Sequence, residues 1–324
     1  MDFTLTDDQQ LLRDTARKLL DRECPPALVR AHIDDPDAYL PLWAHLAEYT
    51  ALGLGPATDL CLFLEQTGFV AAPGPFLATT LYGALTGDDK IGTVAVAGTR
   101  GEWVPNDDPT KTFVLEADRV ERIAVIGRGP SLAVVDAPDA RALRPVATAD
   151  FSRRVFELDT DAVALNPQPL PEAEFAAWFD RASASIAAEM VGTARRIFGM
   201  ALEYAKARTQ FDVPIGSFQA IQHKLAEMSL ALERATAAVH YAAMSVDAGD
   251  PARARACHVA KSAAGEAARR ILKDGIQIFG GIGYTWEHDL HLFLRRATAD
   301  EFLVGTTGWH LDRLAELIID TDAR

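Results

Sequence analysis

The residues best suited to chemistry fall in two stretches of the C-terminal half of the chain. The first runs from Tyr204 to Gln219 (YAKARTQFDVPIGSFQ) and carries Arg208, Phe211 and Gln219. The second runs from Gln277 to Tyr284 (QIFGGIGY) and carries Gln277 and the pair Gly280-Gly281. A guanidinium donates paired, charge-assisted hydrogen bonds to an anion. Two adjacent glycines let backbone amides approach a ligand with no Cβ in the way. Taken singly, each stretch also suits a structural role: Arg and Gln at solvated helix ends, Gly in the left-handed position after a last turn. The run Gly280-Gly281-Ile282-Gly283 is not a dinucleotide-binding fingerprint, because a helical pattern precedes it and the sixth-position glycine is missing.

The elements that must carry these residues are read from periodicity. Thr6-Asp7-Asp8-Gln9 has the form of a capping box, followed by Leu11, Leu12, Ala16, Leu19 and Leu20 at helical spacing until Pro25-Pro26 stops the pattern. Further helices are predicted over Trp43–Leu52 and Asp59–Phe69. Between about 90 and 165 the texture changes to short β-prone runs: 93–96, 112–115, 122–126, 132–135 and 154–158. Turn signals between them predict a small barrel or sandwich. From about 172 the chain is helical again. Phe218, Ile221, Leu225, Met228, Leu232, Ala235 and Val239 keep a 3-4 spacing that gives one apolar seam, as in a four-helix bundle. Gly249-Asp250-Pro251 breaks that helix, an Ala-rich helix follows over about 252–279, and a last one over about 308–320.

Composition narrows the function classes. Across 324 residues, 32 Lys and Arg stand against 46 Asp and Glu, a formal charge of -14. Such a surplus repels phosphate backbones and anionic lipid, so neither nucleic acid nor a membrane is an expected partner. Cys24, Cys61 and Cys257 lie far apart with no CxxC pair, which suits buried thiols better than disulfides or a metal site. With no signal-like start and no long apolar run, the expected location is cytoplasmic.

Together, in this order and at this distance, the two stretches resemble the acyl-CoA dehydrogenase family. Leu294-Arg295-Arg296-Ala297 and the opening Phe3-Thr4-Leu5-Thr6-Asp7-Asp8-Gln9-Gln10 are similar to it as well. The resemblance implies a mainly helical α+β fold: an N-terminal helical domain (1–88), a shortened middle β domain (89–168) and a C-terminal four-helix bundle (169–324). It also implies FAD, an acyl-CoA substrate and an electron-transfer flavoprotein as acceptor. By resemblance, Arg208 grips the flavin diphosphate, Gln219 and Gln277 bond its polar groups, and Phe211 packs nearby. Gly280 and Gly281 let the backbone approach, and Thr306 is a further cofactor contact. Most of these contacts reach a flavin held chiefly by a neighbouring subunit.

The family removes the α proton with a carboxylate, often in a Tyr-Glu-Gly-Thr stretch. Here that stretch reads Leu303-Val304-Gly305-Thr306, and the alternative position on the preceding long helix falls at about Ala182. Neither side chain accepts a proton. The nearby acids are Asp180, Glu189, Asp300 and Glu301. The middle segment also departs from the family, with Trp103-Val104-Pro105 in place of the usual Thr-Glu-Pro and Trp-Ile-Thr pattern. The expectation is a subunit with no catalytic residue of its own, completing the site of a base-bearing partner in an α2β2 assembly acting on a bulky, steroid-type thioester. A homo-oligomer with a relocated base, Glu301, and a flavin-free scaffold remain the alternatives.

Overall fold

A computed structural model describes residues 4–137 and 140–322. Phe3, part of the N-terminal resemblance, lies outside them. Five helices come first: α1 (Asp7–Glu23), α2 (Pro26–Asp34), α3 (Leu40–Leu46), α4 (Ala57–Val70) and α5 (Phe76–Thr86). The capping box is present, with the Thr6 hydroxyl accepting from Gln9 N and the Gln9 side chain accepting from Thr6 N. Of the predicted apolar face, Ala16 and Leu20 are buried, whereas Leu11 points to solvent. Pro25-Pro26 does end α1, but Pro26 also starts α2, since a first-turn proline loses no intrahelical bond. The helix expected over Trp43–Leu52 is instead α3 followed by a 3-10 turn, Ala47–Gly53. There Gly53 meets α5 so closely that a Cβ would lie 2.6 Å from Thr80 O.

Seven strands follow: β1 (Gly92–Ala95), β2 (Thr110–Leu115), β3 (Arg122–Gly127), β4 (Ser131–Asp136), β5 (Leu143–Val146), β6 (Val155–Asp159) and β7 (Gln168–Pro169). They form two sheets, ordered β1-β3-β4-β7 and β2-β6-β5. Ala95, Ile123 and Val125 from one sheet and Val114, Phe156 and Leu158 from the other fill the space between them, so the unit is a small sandwich.

The C-terminal half contains α6 (Glu172–Ala207), a tight hairpin of β8 (Thr209–Gln210) and β9 (Val213–Pro214), α7 (Gln219–Asp247), α8 (Arg253–Phe279), α9 (Leu290–Asp300) and α10 (Thr307–Asp322). One core runs through both helical parts and one face of the sandwich, from Leu20 and Leu64 through Ala124 to Met190 and Ile271. Its tightest crossing is α4 on α6. A Cβ on Gly68 would lie 2.1 Å from Glu189 O, and one on Gly192 would lie 1.9 Å from Glu65 O. These two glycines therefore set how deeply α6, and with it Glu189, sits in the interior. Along α7 the predicted seam is buried at Met228, Leu232, Ala235 and Val239 but opens toward the N-terminal end, where Phe218 is exposed.

Candidate functional site

The two chemistry-bearing stretches meet at one end of the bundle. The Tyr204 ring stacks on Phe279 with centroids 4.4 Å apart, tying the last turn of α6 to the last turn of α8. Arg208 ends α6, and its carbonyl accepts from Ile215 N at 2.8 Å, which closes the β8–β9 hairpin. Phe211 and Asp212 hold left-handed conformations at the hairpin tip. The Phe211 ring is 87% exposed and meets only the edge of Phe218, at 6.2 Å. Gly280 ends α8 with φ 65° and ψ -140°, a combination open to glycine alone. A Cβ on Gly280 or Gly281 would touch nothing within 4 Å.

Arg208, Gln219 and Gln277 all lie exposed. Among the described residues their side chains make no hydrogen bond or ion pair. Tyr284 is 76% exposed beyond the glycines, whereas Trp286 stacks on Phe151 with centroids 6.0 Å apart and lies under the Arg295 guanidinium. The site is thus a set of unengaged polar donors rimmed by bare aromatic rings.

Thr306 is not part of this group. Its hydroxyl accepts from Trp309 N at 3.2 Å and caps α10. The start of α10 packs on α8 at Gly265, where a Cβ would collide with the Thr307 hydroxyl. That contact lies twelve residues before Gln277, or about 18 Å along the helix.

The segment expected to carry a base is a tight turn between α9 and α10. Val304 is fully buried and has φ 56°, a costly conformation for a β-branched side chain. Its backbone is held from behind. Lys261 Nζ, buried on α8, donates to Gly305 O at 2.8 Å, and His310 Nε2 donates to Val304 O at 2.8 Å. With that tautomer, His310 Nδ1 accepts from His258 Nδ1 at 2.8 Å. Burial pushes the histidines down to about 4 (His258) and about 3 (His310), so both are neutral, and it lowers Lys261 to about 8.

Each neighbouring carboxylate is engaged within the chain. Glu301 accepts from Thr307 N at 2.9 Å and from the Thr307 hydroxyl at 3.0 Å, because the chain turns at 301–305 instead of continuing as helix. It thus faces the start of α10. Asp180 accepts from Arg253 Nε at 3.0 Å, and burial raises it to about 6. Glu189 lies in a buried cluster, where its two carboxylate oxygens accept from Arg153 Nη2 at 2.7 and 2.8 Å and one of them also accepts from Arg296 Nη1 at 3.0 Å. Arg296 also donates to Asp150, to the Ser152 hydroxyl and to Ala72 O, and Arg153 to Asp300. Three carboxylates thus share two guanidiniums. Burial, with Glu189 adding to it, pushes Asp300 up to about 7, and its Oδ2 has no hydrogen-bond partner.

This cluster joins the loop before β6 to α6, α9 and the end of α4. The sequence singled out Glu189 and Asp300 as acids near the missing base and Arg296 within Leu294-Arg295-Arg296-Ala297, but not that they meet. The available signal was Glu189, one charge inside the apolar run Ile186–Val191. Beside the cluster is a cavity of about 130 Å³ lined by Phe113, Val155, Ala299, Phe302 and Leu303. Trp103 closes over this region, its ring tilted 6.2 Å from Phe113 and its Nε1 donating to Phe302 O at 3.0 Å.

The succession of helical flank, small sandwich and long-helix bundle is the acyl-CoA dehydrogenase fold. It is shared by the ChsE4-ChsE5 complex from Mycobacterium tuberculosis, with TM-score 0.85, 23% identity and coverage of 98% of this chain and 99% of that one. A Tcur3481-Tcur3483 steroid ACAD variant gives TM-score 0.85 at 24% identity, covering 99% of this chain and 100% of that one. Residues 176–319 match the family model described as acyl-CoA dehydrogenase, C-terminal domain. Acyl-CoA dehydrogenase IpdE2 of M. tuberculosis is 31% identical over 91% of this chain and 92% of its own length. Acyl-CoA dehydrogenase FadE34 of the same organism is 32% identical over 97% of this chain, which spans only 48% of that longer protein. The chain belongs to the acyl-CoA dehydrogenase family, a family of oxidoreductases. Among the described residues no helix is long and apolar enough to cross a membrane.

Proposed function

We propose that this chain is a subunit of an FAD-dependent acyl-CoA dehydrogenase that introduces an α,β double bond into an acyl-CoA thioester. In this reading it completes a flavin site whose catalytic Glu comes from a partner subunit. The observation that carries the reading is a division of labour within one chain. The base position holds buried Val304, and Asp180, Glu189, Asp300 and Glu301 are all bonded internally. By contrast, Arg208, Gln219 and Gln277 stand exposed, and among the described residues their side chains make no hydrogen bond or ion pair.

The bundle end suits the ADP half of FAD. Arg208 would hold the diphosphate by paired charge-assisted bonds, and Gln219 and Gln277 would take polar groups of the cofactor. Gly280-Gly281 would admit it without a Cβ, and Phe211 would cover it from the hairpin tip. Bound flavin supplies the acceptor for the β-carbon hydride, chemistry that no side chain offers. On the other side of the chain, Trp103 and Phe113 occupy the region beside the Phe302–Val304 turn. The cavity left there, about 130 Å³, is well below the ~300 Å³ of a typical small-molecule site. That supports a chain that lends contacts to a flavin and does not house the ring and base itself.

The relatives support a substrate class and an assembly. One similar structure is a two-component complex and another is a steroid ACAD variant. We infer a bulky, steroid-derived thioester, an α2β2 assembly, and an electron-transfer flavoprotein as acceptor. The division into units 1–88, 89–168 and 169–324 belongs to the same reading. The test is flavin content per chain, measured on the protein purified alone in excess FAD and again in complex with a base-bearing subunit of the family. Little flavin alone and about one per pair together is the expected result. One flavin per chain alone, with turnover of an acyl-CoA, would overturn it.

A further inference from the structure

We propose that the groove between α7 and α8 is a docking surface for an acidic helix of the partner subunit, and that its charge disfavours pairing with a second copy of this chain. This rests on the partner reading above and gives that partner's face a chemistry. Two contiguous cavities of about 290 and 490 Å³ run along the groove and share Arg269 and Arg270. Ala231, Ala263 and Ala267 form a low floor. Arg234 on α7 and Arg269, Arg270 and Lys273 on α8 form the walls, and all four are exposed.

These cations are poorly matched by their own chain. Among the described residues Arg234 and Lys273 have no hydrogen bond or ion pair. Arg269 reaches Glu301 only at 3.5 Å, while Arg270 meets Glu227 at 2.9 Å. With Lys224, which bonds Asp274 at 2.5 Å, the groove has five cations against Glu227, Glu266 and Asp274 in its lining and Glu301 beside Arg269, an excess of one. That local excess is opposite in sign to the -14 of the whole chain.

The shape favours a helix over a single phosphate. The cations spread outward along more than a turn of α8 and do not converge on a buried point, and the alanine floor lets a helix lie close. The groove also opens onto the bundle end proposed to reach the partner, since Lys273 lies one turn before Gln277. Self-pairing about a two-fold axis on this face would set Arg269 and Arg270 against their own counterparts. Such like-charge contact disfavours the homodimer and leaves the face to a partner bearing Asp or Glu.

The experiment uses an acid-faced variant of the full chain as the probe: Arg234→Glu, Arg269→Glu, Arg270→Glu and Lys273→Glu combined. Association of wild type with itself and with this variant is followed by sedimentation velocity, after circular dichroism and melting establish that the variant folds. At about 0.05 M salt the mixed pair is expected to bind about tenfold or more tightly than wild type with itself, and the difference should vanish near about 0.5 M salt. A milder pair of changes, Arg269→Gln with Arg270→Gln, should tighten self-association of the variant. Mixed pairing no tighter than wild-type self-association, or a glutamine variant no tighter than wild type, would overturn the proposal. The readout involves no flavin. A self-sufficient flavin site with tight mixed pairing would discard the half-site reading and keep the docking face, and the reverse result would discard the docking face alone.

Discussion

Replacing Asp300 with Asn should give a stability advantage over wild type that grows as pH rises from mild acid through neutrality. Asp300 lies with Asp150 and Glu189 against only two guanidiniums, and one of its oxygens has no partner. Its proton is therefore held up to about 7, against 3.8 in the unfolded chain. Across that window the folded state binds more protons than the unfolded one, so this residue's contribution to stability falls as pH rises. Between about pH 5 and about pH 8 the loss accumulates over roughly two pH units, or about 3 kcal/mol at 1.36 kcal/mol per unit. Asparagine resembles the protonated acid and cannot ionise. Urea unfolding followed by tryptophan fluorescence should show the advantage of Asp300→Asn over wild type widening by about 3 kcal/mol between about pH 5 and about pH 8. A variant that loses about 2 kcal/mol or more at both pH values would refute the reasoning, because Arg153 would then require an ionised Asp300 throughout.

Three further outcomes are expected. Gly192→Ala should cost about 2–3 kcal/mol or more, because its Cβ would lie 1.9 Å from a backbone oxygen. Gly199→Ala on the same helix meets nothing within 4 Å and should be neutral or gain up to about 1 kcal/mol; equal melting shifts would contradict the packing account. Unfolded imidazoles bind protons below about 6.5, whereas His310 stays neutral down to about 3, so the contribution of His310 to stability should hold above about 6.5 and be lost as pH drops below it. His310→Gln, which keeps a donor for Val304 O, should flatten that acid limb by about 1.4 kcal/mol per pH unit, and an unchanged limb in denaturation curves would sink the assignment. Arg208→Ala should weaken flavin retention in the complex by roughly tenfold to a hundredfold while shifting the isolated chain's stability by less than about 0.5 kcal/mol. Equilibrium dialysis and melting together check it, and full flavin retention would remove Arg208 from the site.

What could be read from the sequence was decided by neighbours in the chain. The Thr6–Gln9 capping box, the stop at Pro25-Pro26, five of the strands and the seam along α7 all depend on residues within a few positions of one another. The two stretches around Arg208 and Gly280, and the valine at 304 where the resemblance sets a base, were legible because motifs are local strings. Only the tertiary structure decided where the buried charges find partners. Arg153 meets Glu189 and Arg296 meets Asp150 across separations of 36 and 146 residues. Gly68 and Gly192 look like weak points in two helices until the helices cross, when each proves to be the space the other backbone needs. The same holds for the turn at Val304, whose left-handed backbone is held by Lys261 and His310. It holds too for the bundle end, where tertiary packing leaves Phe211, Phe218 and Arg208 uncovered. Long-range pairing depends on where whole elements come to rest, and no short window of sequence encodes that.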